Sequence, residues 1–287
     1  MISLPPSRIV LPPGGWPTVV DFLCERFPAV DRHAWTDRMV RGLVKADGVT
    51  VDRLTPFRPG TVITYHREVG AEPRIPFDEE IIYADDDLVV ADKPHFLPVM
   101  PAGGYVEQTL SVRLMRRLGN PELVALHRLD RGTAGLVVFS ARPSSRDAYT
   151  RLFRERLIQK TYEAIAPPME GRAFPFVHES RIEKGSPFFR MGEVPGAPNA
   201  FTRIDLLERG DRFWRYQLSP VTGRKHQLRL HMAGLGAPIV GDAVYPTVRE
   251  EAPGFHDPLR LLARELRFVD PVSGLDRSFL SRRSLDL

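Results

Sequence analysis

Apolar positions fall at helical spacing in VVDFLCERF (19–27) and HAWTDRMVRGLV (33–44), where residues three and four apart share a face. VKADGVTVD (44–52) then reads as strand, turn and strand with Asp47-Gly48 at the bend, and VITYH (62–66) as a further strand after Pro59-Gly60. Two helices and a small hairpin sheet predict one domain over residues 1–70. GAEPRIP (70–76), with two prolines and no periodicity, predicts a linker. From 77 to 287 strands dominate. EEIIYADDDLVVADKP predicts two strands around Asp85-Asp86-Asp87, and GLVVFS, KTYEAIA, NAFTRIDLLE, RFWRYQLS and LLARELRF predict five more. TLSVRLMRRLG (109–119) reads as a helix ending on glycine. SSRDAYTRLFRERL (144–157) reads as an amphipathic one, with Ala148, Tyr149, Leu152, Phe153 and Leu157 on one side and Arg151 and Arg154 opposite. The expected fold class is therefore mixed α/β (α+β): a large, mainly antiparallel sheet with helices on its faces, preceded by a small domain.

Composition narrows the picture. The 287 residues are 43% hydrophobic, which is ordinary for a chain with a real core. No run of about 18 apolar residues is available to span a bilayer, and the start, MISLPPSRIVLPPGGW, lacks the pattern of a secretory signal. A single cysteine, Cys24, excludes an internal disulfide and suits a reducing cytoplasm. The net charge is only +4, and all but five of the 40 basic residues are arginines. Their placement says more than the total. Residues 212–241 hold Arg212, Arg215, Arg224, Lys225 and Arg229 and no acid, and residues 140–160 hold six basic residues against Asp147 and Glu155. Two local basic patches suit a polyanion-binding face.

Familiar catalytic signatures are missing: there is no GxxxxGK[ST], no GxGxxG after a strand, no GxSxG and no HExxH. No metal site is expected, because His226 and His231 are five positions apart, about 140° round a helix and on opposite faces of a strand. What remains is a carboxylate with arginines. Asp130 precedes the small residues Gly132, Thr133, Ala134 and Gly135, which let a ligand or another backbone come close. In TGRKHQLRLHM (222–232), read as a helix opening between Thr222 and His226, the apolar stripe is Leu228, Met232 and Leu235. Arg229 points off that stripe, either into solvent or toward an anion near the helix start.

HRLDRGTAGL (127–136), KTYEAI (160–165) and TGRKHQLRLHMAGLGAPIVGDAVYP (222–246), in that order and with DKPHFLPVMPAGG (92–104) ahead of them, resemble the motifs of the RluA-like family of RNA pseudouridine synthases. The resemblance covers roughly 78–270. The N-terminal unit looks like the αL RNA-binding module that precedes the catalytic domain in many of these enzymes. The family's pattern is departed from at Ala134, where serine is usual, at Lys225, where threonine is usual, and at Met100, where many relatives have histidine; LLARELRF also lacks an early histidine.

By this resemblance Asp130 is the catalytic aspartate, Arg229 the cation paired with it, and Tyr162 the aromatic that packs against the target uracil. Arg128 would enter the space left by a flipped nucleotide. Lys160, Arg151, Arg154, Arg224 and Lys225 would hold phosphates, and His127 and His226 would stand with them or orient loops through hydrogen bonds. Asp242, in VGDAVYP, reads as a turn former. The implied reaction detaches uracil from ribose, turns it and rejoins it through carbon 5. It consumes no water and changes no oxidation state, so one carboxylate suffices and no cofactor is expected. A glycoside hydrolase would need a second carboxylate. The other alternative, a non-catalytic RNA-binding or ribosome-assembly protein on the same fold, would not need Asp130, Tyr162 and Arg229 together. The expected partner is ribosomal or transfer RNA, with no membrane, no obligatory protein partner and a monomeric, cytoplasmic enzyme.

Overall fold

A computed structural model describes residues 6–70, 72–250 and 254–287. Residues 1–5 of the opening segment and residue 71 of the expected linker lie outside them. By compactness the chain divides into two units, Met1–Ala71 and Glu72–Leu287.

The first unit contains β1 (Ser7–Val10), α1 (Val19–Arg26), α2 (Arg32–Val40), β2 (Val44–Ala46), β3 (Val49–Thr50) and β4 (Val62–Tyr65). The four strands form one sheet in the order β1-β4-β2-β3. Thr18 and Asp21 cap α1 reciprocally. Asp47 and Gly48 both take positive φ, 47° and 86°, as a two-residue hairpin turn requires. Trp35, Leu23 and Ile63 are fully buried in its core. Helix α2 stops at Val40, short of the predicted end at residue 44, because Gly42 turns the chain at φ 70° and Val44 is needed in the sheet.

The second unit contains β5 (Glu80–Ala84), β6 (Leu88–Lys93), α3 (Leu110–Leu118), β7 (Val124–Ala125), β8 (Ala134–Ser140), α4 (Pro143–Arg154) and β9 (Gln159–Ala166). After them come β10 (Phe176–Lys184), β11 (Met191–Val194), β12 (Ala200–Arg209), β13 (Trp214–Pro220), α5 (Gln227–Gly234), β14 (Leu261–Val269) and β15 (Asp276–Leu280). They build an 11-stranded sheet, β11-β10-β12-β13-β9-β14-β8-β6-β5, with β15 on β14 and β7 on β8. Every pairing is antiparallel except β14 with β8. The expected linker is not loose throughout: Ile75 is buried, and the Glu72 carboxylate accepts the backbone N–H groups of Glu107 and Gln108.

Strand β8 is buried at every residue because both faces are covered. Val137 and Phe139 pack with Leu110, Leu114 and Met115 of α3, and Leu136 and Val138 pack with Tyr149 and Leu152 of α4. That explains why its sequence is apolar without alternation. Helix α4 ends at Arg154, earlier than predicted, since Arg156 adopts φ 60°; Leu157 is exposed rather than part of the buried face. Beside β14, Gly135 has φ 108°, and a Cβ there would sit 2.3 Å from the Ala263 carbonyl oxygen. Gly135→Ala should lower stability by on the order of 3 kcal/mol, combining overpacking with left-handed backbone strain. Thermal unfolding followed by circular dichroism measures this, and an unchanged midpoint contradicts the close approach of β8 and β14.

Candidate active site

Asp130 sits in the loop between β7 and β8, and buried chemistry holds that loop. The Thr133 N–H donates to the Asp130 carbonyl at 3.1 Å, closing a turn. Lys93, fully buried at the end of β6, donates to the carbonyls of Pro94 (3.0 Å), Leu97 (2.8 Å) and Arg131 (3.2 Å). It thereby ties the loop to the segment after β6. Burial pulls its ammonium down to about 7, and the nearby Asp130 charge opposes that shift. His95 Nδ1 adds a 2.7 Å contact to the Gly132 carbonyl.

Helix α5 supplies the opposing wall. It opens at the late end of the predicted 222–226 range: His226 is its N-cap in the left-handed conformation, φ 57°, and the helix runs from Gln227. Leu228 and Met232 are buried as expected, and so is Arg229. The arginine therefore faces an anion rather than solvent. Its Nη1 donates to Asp130 Oδ2 at 2.8 Å, while Nε and Nη2 donate to Asp242 Oδ2 and Oδ1, each at 2.8 Å. The bidentate partner is Asp242, and Asp130 receives one bond, so the fork orients the guanidinium first and the acid through it. Asp242 does form the turn read from the sequence, accepting the N–H groups of Val244 (2.8 Å) and Tyr245 (3.0 Å). Its grip on Arg229 was not legible there. His226 Nε2 stands 3.8 Å from Asp130 Oδ1, and its Nδ1 meets the Tyr245 hydroxyl at 3.0 Å.

These contacts set the ionisation. Burial alone pushes the Asp130 carboxyl up; the His226 and Arg229 charges and the Arg229 hydrogen bond outweigh it, leaving the acid below its ordinary 3.8. Burial also pulls His226 down to about 4, so near neutrality its ring is uncharged and the compensating charge comes from Arg229, with Arg128 adding to it. Because the folded value of Asp130 is depressed, its carboxylate stabilises the fold above 3.8 and that contribution disappears as pH falls through the lower folded value. The single-turnover rate should accordingly show no acid limb above about pH 5. A stopped pH series on saturating RNA checks this, and a limb centred near 6 contradicts the ion pair.

Tyr162, on β9, lines the same cleft as Asp130 and Arg229, a cavity of about 530 Å³. Burial and then the Asp130 charge raise its phenol, which stays protonated. Arg128, His127, Lys160, Arg224, Lys225 and His226 all border this cleft. Arg128 is exposed and lines two neighbouring hollows as well. His127 stacks on Phe153 and accepts the Val138 N–H at 3.1 Å, an orienting role; burial takes it to about 3. Arg224 donates to the Asn199 carbonyl at 3.2 Å and Lys225 to that of Phe189 at 2.8 Å. Arg151 and Arg154 are not brought to the cleft. They lie exposed on α4, paired with Glu155 and Asp147. Arg156, overlooked in the sequence, lines it instead.

The sequence profile described as RNA pseudouridylate synthase matches residues 87–234. An uncharacterized RNA pseudouridine synthase of Synechocystis sp. is 32% identical over 234 residues, covering 79% of each chain. The dual-specificity RNA pseudouridine synthase RluA of Vibrio cholerae is 33% identical over 68% of this chain and 78% of its own. Among solved structures, human RNA pseudouridylate synthase domain containing 1 superposes with a TM-score of 0.60 at 26% identity, covering 74% of this chain and 86% of that one. A single-carboxylate cleft on this sheet and a profile spanning both of its walls lead to one conclusion: the chain belongs to the RNA pseudouridylate synthase family and is an RNA pseudouridine synthase.

Proposed function

We propose that Asp130 is the reacting carboxylate and that the target uridine enters the 530 Å³ cleft flipped out of its RNA. The observation that carries this reading is the buried chain Asp242–Arg229–Asp130, which holds a bare carboxylate beside Tyr162. In the reaction the bond from uracil N1 to the ribose breaks and one from C5 forms. The C5 proton leaves and N1 regains one, so atoms and charge balance. Asp130 serves either as nucleophile at the sugar or as base toward a sugar proton. Unstacking the uridine costs a few kcal/mol. Stacking on Tyr162 returns about 1–3 kcal/mol, and Arg128 at the mouth fills the vacated place. Arg156, Lys160, Arg224 and Lys225 bind phosphates, which gives affinity without sequence choice.

The substrate class we assign is ribosomal or transfer RNA, and the first unit, with its two helices and small sheet, acts as an RNA-binding module. Asp130, Tyr162 and Arg229 come from one chain, which supports action without a protein partner. No helix among the described residues is long and apolar enough to cross a membrane, and the free Cys24 supports a cytoplasmic location. RNA carrying tritium at C5 of uridine tests the reaction. Label should pass to solvent with no free uracil; free uracil means hydrolysis, and retained label means binding alone.

A further inference from the structure

A second set of chemistry-bearing side chains lies outside the catalytic cleft, where α5 packs on β10, β11 and β12. His178 and Ser180 alternate onto one face of β10. The strand registers place Glu193 opposite Ile182 and Thr202 opposite His178, so all four project from that same face. His231, completely buried on α5, covers them. A sheet face beneath a helix is ordinarily apolar; this one carries an imidazole, a carboxylate and two hydroxyls, and the helix adds a second imidazole.

The polar atoms converge. His178 Nε2 lies 3.2 Å from Glu193 Oε1, and His231 Nε2 lies 3.9 Å from the same oxygen. All three ligating atoms fall within 4.8 Å of one another. Behind the cluster, His231 Nδ1 is 3.0 Å from Thr202 Oγ1, which also accepts the Gln227 side-chain amide at 2.9 Å. With Nδ1–H donated to Thr202, the Nε2 lone pair points at Glu193 and at Ser180 Oγ, 3.1 Å away. Such a contact behind the ring fixes the tautomer of metal-binding histidines. Gly234 completes the fit: a Cβ there would stand 2.9 Å from Glu193 Oε2, so the glycine makes room for the carboxylate.

We propose that His178, Glu193 and His231 form a binding site for a divalent transition-metal ion, zinc by preference, with its remaining position open to water. Two imidazoles and one carboxylate are a zinc donor set, whereas calcium and magnesium take oxygen ligands. His178 and Glu193 retain 22% and 28% of their side-chain exposure, which gives the ion a way in. Binding draws the three atoms to about 2.0–2.2 Å from the metal and displaces the Ser180 hydroxyl from Nε2. The ion then pins β10 and β11 to the helix that carries Arg229, a structural role with no step in the isomerisation.

The test uses the untagged, full-length chain stripped with a chelator. Calorimetric titration with zinc chloride should give one ion per chain, the unfolding midpoint should rise with zinc, and cobalt(II) should develop visible absorption bands. His178→Ala and Glu193→Gln should each weaken zinc uptake by about tenfold or more and remove the rise in midpoint, with metal-free pseudouridine formation unchanged. Gly234→Ala should weaken uptake as well. No saturable uptake, or uptake that His178→Ala and Glu193→Gln leave untouched, overturns the proposal without bearing on the uridine reaction.

Discussion

Asp130→Asn is expected to reduce single-turnover pseudouridine formation by on the order of 10⁴-fold, the upper range for losing a positioned proton-transfer group, while RNA affinity changes little. The substitution is nearly isosteric, and the amide oxygen can still accept the 2.8 Å bond from Arg229 Nη1. What is lost is the charge, and with it both of the roles open to this residue. Tritium release and filter binding on the same preparations separate chemistry from affinity. Asp130→Asn retaining more than a small fraction of the rate would move the reacting group elsewhere in the cleft.

Arg229→Lys should cost about 10²–10³-fold in rate, comparable to removing one preorganised charge-stabilising donor. A lysine carries the same charge but lacks the fork. It cannot bind both oxygens of Asp242 and one of Asp130 at once, as the guanidinium does. Breaking a buried pair also costs about 3–5 kcal/mol when one partner is lost outright, so the lysine variant should unfold earlier. Asp242→Asn separates the two effects. The amide can still receive the Val244 and Tyr245 N–H groups through Oδ1 but turns an N–H₂ toward the guanidinium. Arg229 should lose its orientation, kcat should fall, and KM for RNA should stay close to its original value. A rise in KM alone would mean that Asp242 shapes the RNA surface instead of aiming the arginine.

Much of the framework was legible because it rests on local pattern. The unbroken apolar run of β8 points to its burial, and the off-stripe position of Arg229 leaves it either solvent or an anion as partner, of which the fold supplies the anion. Three features were hidden for physical reasons. Asp242 looks like a turn former because it is one, and its second partner arrives from α5, thirteen residues earlier in the chain. Arg156 sits in a run of helix-forming residues, and only its left-handed backbone ends α4 and swings it to the cleft, away from Arg151 and Arg154. Strands β10 and β11 lie in a stretch punctuated by Pro175, Pro187, Gly185 and Gly192, to which the sequence pattern assigns no element. The convergence of His178 and Glu193 on His231 depends on their register, and register is not written in spacing.

The clamp around Arg229 also sorts what can enter. Asp130 at the floor of the cleft, with Asp242 buried behind it on the same guanidinium, keeps that floor negative, while Arg128, Arg156, Lys160, Arg224 and Lys225 make its border positive. A phosphodiester is drawn to the border and repelled from the floor, so the neutral nucleobase is the part of the polymer that can go deepest. Capture and admission thus answer to opposite signs of charge, and the molecule filters its substrate by depth.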